Sequence, residues 1–168
     1  IKRVRAHIAN IRQEFKSQGV EFDDNMPLGA MIEVPAAAAA APLFAASLDF
    51  LSIGSNDLIQ YANAADRQNS EVAYLYQPLH FGVIKLMSWV VSSSLKAKKP
   101  ISICGEIASD PRFAALLLGL GLKELSIRPA VFHQVREKIQ TLSVYKSRQR
   151  VEEYLASGNL EALETLLT

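Results

Sequence analysis

The sequence predicts a parallel α/β fold of about four βα units. Three observations carry that expectation. Strand-like and helix-like segments alternate four times, the strand-like segments are short and apolar, and chemically versatile polar residues stand directly after them. Short strands that are apolar on both faces suit a parallel sheet covered by helices. A doubly wound sheet and a (β/α)8 barrel both fit this rhythm. A complete barrel takes about 250 residues, so as a barrel this chain would be about half of one.

Each element has a local reason. Residues 1–17 place Ile1, Val4, Ile8, Ile11 and Phe15 at helical spacing between charges, the pattern of an amphipathic helix. Leu28 to Val34, bounded by Pro27 and Pro35, reads as a buried strand. Ala36 to Ser47 reads as one helix, because alanine has the highest helix propensity and Pro35 suits a helix start. Asp49 to Gly54 is the second strand, Asn56 to Tyr61 a short helix, and Ala62 to Gln77 largely loop. Phe81 to Lys96 is a long helix, with Trp89 expected in the core, and Lys99 to Cys104 is the third strand. Asp110 as cap and Pro111 in the first turn open a helix to Gly119. Glu124 to Arg128 is the fourth strand, and Val131 to Gln140 the helix after it. Val151 to Ala156 and Leu160 to Leu167 read as two short helices. They belong to a tail, residues 141–168, outside the βα unit of residues 1–140.

Composition narrows the function classes. The chain has 168 residues, 49% hydrophobic, with a formal net charge of +1. That balance offers no footprint for nucleic acid or an anionic membrane. No apolar run approaches the roughly 20 residues that span a bilayer. A single cysteine cannot form an internal disulfide, so a reducing, cytoplasmic setting is expected. The chain opens on Ile1 inside a helical pattern, which reads as a piece of a longer protein.

The residues after the strands carry the chemistry. In parallel βα folds the carboxyl ends of the strands gather on one rim. Glu33 ends the first strand, Ser55-Asn56-Asp57 follow the second, and Cys104-Gly105-Glu106 end the third. Glu33 and Asp57 offer hard oxygen donors of the kind magnesium takes beside water and phosphate oxygens. Asp57 also fits a simple helix cap at Leu58. Arg67, in the loop after the second strand, reads either as a loop arginine paired with Asp66 or as a phosphate clamp. Cys104 reads either as inert packing or as a thiol that exchanges a proton with a bound substrate. His7, His80 and His133 fall on helix surfaces or helix starts, away from the strand ends.

Six strings, in order and at matching intervals, resemble one known family. They are GAMIEVP (29–35), FLSIGSNDLIQY (50–61), AADRQN (64–69), LYQPLH (75–80), SICGEIASDP (102–111) and LLLGLGLKELSIRP (116–129). Together they resemble the phosphoenolpyruvate-binding barrel of enzyme I, the phosphoenolpyruvate–protein phosphotransferase family of the bacterial sugar phosphotransferase system. Its nitrogen-regulatory branch is at least as similar. The resemblance covers residues 1–140 and implies the C-terminal half of a TIM-type (β/α)8 barrel of the phosphoenolpyruvate/pyruvate-binding superfamily.

The resemblance implies roles residue by residue. Glu33 and Asp57 match the magnesium ligands, which also meet the substrate. Asn56 and Arg67 match phosphate-contacting residues, and Cys104 matches the acid that protonates the methylene carbon of enolpyruvate. It further implies a homodimer, Mg2+ as cofactor, an upstream phosphohistidine domain, and a small histidine-containing phosphocarrier protein as partner. By this resemblance the chain alone is inactive. Pyruvate phosphate dikinase and phosphoenolpyruvate synthase share part of the motif set, and their C-terminal domain is the alternative reading; a dimerisation module is a third. Arg128 departs from the family, which usually has a small or apolar residue there. The segment Val131-Phe132-His133 and the tail after Gln140 also depart from its pattern.

Overall fold

The computed structural model describes residues 1–161 and 163. An outlying helix, α1 (Lys2–Gln18), ends at Gly19 in the left-handed conformation and buries none of its residues. Four βα steps follow. Strand β1 (Gly29–Ile32) leads into α2 (Pro35–Ala39) and α3 (Ala41–Ser47), and β2 (Phe50–Gly54) into α4 (Ser55–Asn63). A loop with one 3-10 turn, Ala73–Leu75, then reaches α5 (Phe81–Lys96). Strand β3 (Ile101–Cys104) is followed by α6 (Glu106–Ser109) and α7 (Ala114–Leu120). Strand β4 (Glu124–Leu125) precedes α8 (Phe132–Thr141) and α9 (Val144–Ser157).

The strands pair in parallel in the order β1-β2-β3-β4. Ile32 faces Ile53, Gly54 faces Cys104, and Ile103 faces Leu125. This order lacks the reversal that defines a doubly wound sheet. Right-handed crossovers between consecutive neighbours put every helix on the same side. The sheet is therefore an arc of a (β/α) barrel.

Burial alternates along the strands accordingly. Ile32, Leu51, Ile53, Ile101 and Ile103 are buried against Ala38, Ala41, Leu58, Val83, Met87 and Leu117. The other face carries Met31, Glu33, Phe50, Ser52, Ser102 and Cys104. Met31 is 50% exposed there, and Ser102 Oγ donates to Ser52 Oγ at 3.0 Å. The expectation of strands apolar on both faces is thus corrected: one face is oily, the other mixed and bare.

Three further differences have local causes. The helix expected over Ala36 to Ser47 breaks at Ala40 (φ −88, ψ 10), because Pro42 has no N–H to continue the ladder. The fourth strand is two residues long, not five. Ser126 N still donates to Ile103 O at 2.8 Å, but Arg128 N turns to Ser109 Oγ. Trp89 lies on the outer side of α5, 47% exposed, with Nε1 donating to Ala39 O at 3.3 Å. The sheet-facing stripe of that helix is Val83, Met87, Val90 and Val91.

The helix expected over Val151 to Ala156 begins earlier, at Val144, because the Ser143 side chain accepts from Lys146 N, and α9 runs to Ser157 before its cap at Gly158. The expected helix at Leu160 to Leu167 lies for the most part outside the described residues. Helix α9 packs on α7, and Val151, Tyr154 and Leu163 form a second core with Ile84 and Leu116. Among the described residues no helix is long and apolar enough to cross a membrane.

Tyr154 joins this second core to the chain before α5. Its buried hydroxyl donates to Leu79 O at 2.8 Å, and burial raises its pKa above the usual 10.0. Tyr154→Phe strands that carbonyl and is expected to cost about 1 kcal/mol in urea unfolding. A raised phenol pKa stabilises the fold below the unfolded value, and that stability is lost as pH rises through the folded value. Stability of the parent chain should therefore fall above about pH 10 more steeply than that of the variant.

Candidate active site

Glu33, the residue after β1, lies on the bare face of the sheet. A Cβ built on Gly54 would come within 2.8 Å of Glu33 Oε2 and 2.9 Å of Glu33 Cβ. The glycine thus keeps open a ledge on which the carboxylate rests. Gly54 is also the residue before α4, and Asp57 stands in the first turn of that helix. The cap position is Gly54, so Asp57 stands inside the first turn rather than at the cap.

The end of β2 and the end of β3 are stitched together by two hydrogen bonds. Ser55 Oγ donates to Cys104 O at 2.6 Å. Glu106 N donates to Asn56 Oδ1 at 2.8 Å. A backbone N–H can pair only with the amide oxygen, so the Asn56 Nδ2 group is left as a donor for an anion. Between these bonds Gly105 turns the chain with φ 106 and ψ −170, a conformation that side chains resist.

Cys104 shares the face of Ser52, Ser102 and Glu33, because strand residues alternate. It is half-buried, and its Sγ donates to Ile53 O at 3.6 Å. Sequence reasoning left inert packing open for this thiol. The structure puts it on the bare side of the sheet, away from the main apolar core.

Arg67 does not pair with its neighbour Asp66, which instead accepts from Gln68 N at 2.9 Å in a local turn. Its backbone N donates to Gln60 Oε1 at 3.2 Å, and its Nη1 lies 4.0 Å from Glu106 Oε1. The loop beyond β2 is thereby bent back over the rim. Tyr76 closes the arrangement from below, its hydroxyl directed at Asn56 O at 3.4 Å. Burial, then the charge of Glu106, push the Tyr76 pKa above its usual 10.0, partly offset by the adjacent Arg67. The same hydroxyl also feels Asp57, so Arg67, Asp57 and Glu106 share one electrostatic neighbourhood.

The structure therefore joins Asn56, Arg67 and Cys104 through the β2 and β3 ends, and sets Glu33 against Gly54, the residue before the helix whose first turn carries Asp57. Sequence reasoning gave no role to Ser55, Tyr76 or Glu106. The YQP string held Tyr76, but no periodicity marks a lone tyrosine in a loop as a rim residue. Among the described residues no three His, Cys, Asp or Glu side chains gather as a metal cluster. Glu33 and Asp57 are hard carboxylates of the kind magnesium takes beside water or phosphate ligands.

Gly105→Ala tests the rim. The new Cβ would run into Ser55 Oγ and lie 2.8 Å from Asn56 Oδ1, at a positive φ. The expected loss is about 2–4 kcal/mol of unfolding free energy, read by chemical denaturation. Wild-type stability in that variant would show that the two stitching bonds do not constrain the turn.

Comparison with known proteins agrees with this architecture. Residues 1–144 match the model of the family described as PEP-utilising enzyme, PEP-binding domain. A phosphoenolpyruvate-protein phosphotransferase of Cupriavidus necator is 44% identical over 139 residues, covering 83% of this chain and 24% of the relative. One from Listeria monocytogenes is 40% identical over 166 residues, covering 99% of this chain and 29% of the relative. One from Staphylococcus aureus is 42% identical over 142 residues, covering 84% and 25%. The chain spans about a quarter of the length of these relatives. A barrel arc with its polar residues gathered at the strand ends, matched over nearly its whole length, places the chain in the family of PEP-binding domains of PEP-utilising enzymes.

Proposed function

We propose that the chain forms the phosphoenolpyruvate-binding and proton-donating part of a phosphoenolpyruvate-protein phosphotransferase. The observation that carries this reading is that Glu33 and Cys104 share the bare face of the sheet, beside the Asn56 amide and Arg67. The names of the relatives favour this over a dikinase or synthase.

The residues divide the work by chemistry. Asn56 Nδ2 and the Arg67 guanidinium donate to phosphate oxygens, for which a planar fork is well matched. Glu33 and Asp57 would hold Mg2+, which would supply positive charge against that of the substrate. The phosphoryl group passes to a histidine on another domain as the P–O bond breaks, and its electron pair stays on the enol oxygen. That oxygen re-forms a C=O bond, and the methylene carbon takes the Cys104 thiol proton to give pyruvate. The thiolate recovers a proton from solvent. The onward acceptor is a small histidine-containing phosphocarrier, the assembly a homodimer, and the setting the cytoplasm.

In the longer phosphotransferase carrying this chain, Cys104→Ala should slow pyruvate formation about 10²–10⁴-fold. Phosphoenolpyruvate affinity, measured by calorimetry, should change less than about twofold, a few tenths of a kcal/mol. Unchanged turnover removes Cys104 from the chemistry. The 168-residue chain by itself is expected to show no steady phosphotransfer in a coupled pyruvate assay.

A further inference from the structure

Arg128 stands apart from the residues assigned above. Arg128 follows the short fourth strand and lines the same groove as Glu106, at the end of the third. Its backbone is held there from both sides. Arg128 N donates at 3.1 Å to the hydroxyl of Ser109, a residue only 4% exposed, and Pro129 follows at the start of a 3-10 turn. A groove lined by Asn56, Gly105, Glu106, Ser126 and Arg128 runs across this part of the rim. The neighbouring groove is lined by Arg67, Tyr76 and Glu106. Glu106, its side chain 72% exposed, thus stands between two arginines. Among the described residues the Arg128 guanidinium has no ion-pair partner.

The charges at the rim make that guanidinium consequential. Within this chain the rim sets three carboxylates, Glu33, Asp57 and Glu106, against two arginines, Arg67 and Arg128. A phosphate ester with a carboxylate carries about three negative charges near neutral pH. Beyond a divalent ion, such a ligand calls for further fixed positive charge at the rim.

We infer that Arg128 is a second phosphate-binding arginine of this chain, gripping the substrate phosphate from the groove it shares with Asn56. This rests on the proposed phosphoenolpyruvate site and adds a ligand contact to it. Guanidinium forks bind phosphate by paired N–H donors, which a serine at that position cannot replace.

The test is an NMR titration of the 168-residue chain with phosphoenolpyruvate at saturating Mg2+, repeated with inorganic phosphate. The backbone amides of Asn56, Gly105 and Glu106 report the site, and the Arg128 Nε–Hε signal reports the new contact. Both should shift on titration. Arg128→Ser should weaken both ligands about tenfold, and Arg128→Lys should restore part of the affinity. Amide shifts with unaltered affinity in Arg128→Ser, or weakening of phosphoenolpyruvate alone, overturn the Arg128 assignment while the site stands. No amide shift in the unaltered chain overturns the site itself, and the arginine's role with it.

Discussion

The rim depends on the register of β2 against β3 and on the two side-chain bonds that extend it. A parallel ladder ends where the chain must turn, and the backbone groups beyond it still need partners. Here Ser55 takes the Cys104 carbonyl and Asn56 takes the Glu106 amide. The first turn of α4 is therefore fixed to the turn after β3, and the thiol, the amide and Asp57 are positioned as one body. Asn56 serves two ends at once: its oxygen is structural and its nitrogen remains chemical.

The electrostatic arrangement around this body is loose in a useful way. The Arg67–Glu106 pair is long at 4.0 Å, and the glutamate is mostly in water. Pairs of that kind contribute little to stability. On the proposed reading an arriving phosphate takes the guanidinium without breaking a strong contact, since its charge-assisted bonds are stronger than the one they replace. Tyr76 restrains the loop meanwhile, wedged between Arg67 and the Asn56 carbonyl.

Much of this was legible in the residues. Alternation of apolar and polar segments located β1, β2, β3 and the full extent of α5, since local periodicity and helix stops decide those elements. The placement of Glu33, Asp57 and Cys104 after strands followed from βα geometry. What escaped were consequences of contacts distant in sequence. The shortening of β4 follows from Ser109 capturing an amide nineteen residues on. The length of α9 is tied to its packing on α7, and the exposure of Trp89 reflects which stripe of α5 the sheet selected. Tyr76 was invisible for the same reason, because its partners belong to α4 and to the loop bearing Arg67.

The bare concave face sets a rule of parity on this chain. Along β1 and β2, Ile32, Leu51 and Ile53 secure the fold, while the residues between and after them, Met31, Glu33, Ser52 and Gly54, face the open side. The two sets can vary almost independently, because substitutions in one scarcely touch the packing of the other. Their separation is only one position deep. Inserting or deleting a single residue within β2 would swap the sets, turning Ser52 into the oil and Ile53 into the water. Point changes on the open side thus spare the core, though not the ledge at Gly54, whereas any shift of frame in a strand dismantles core and rim together.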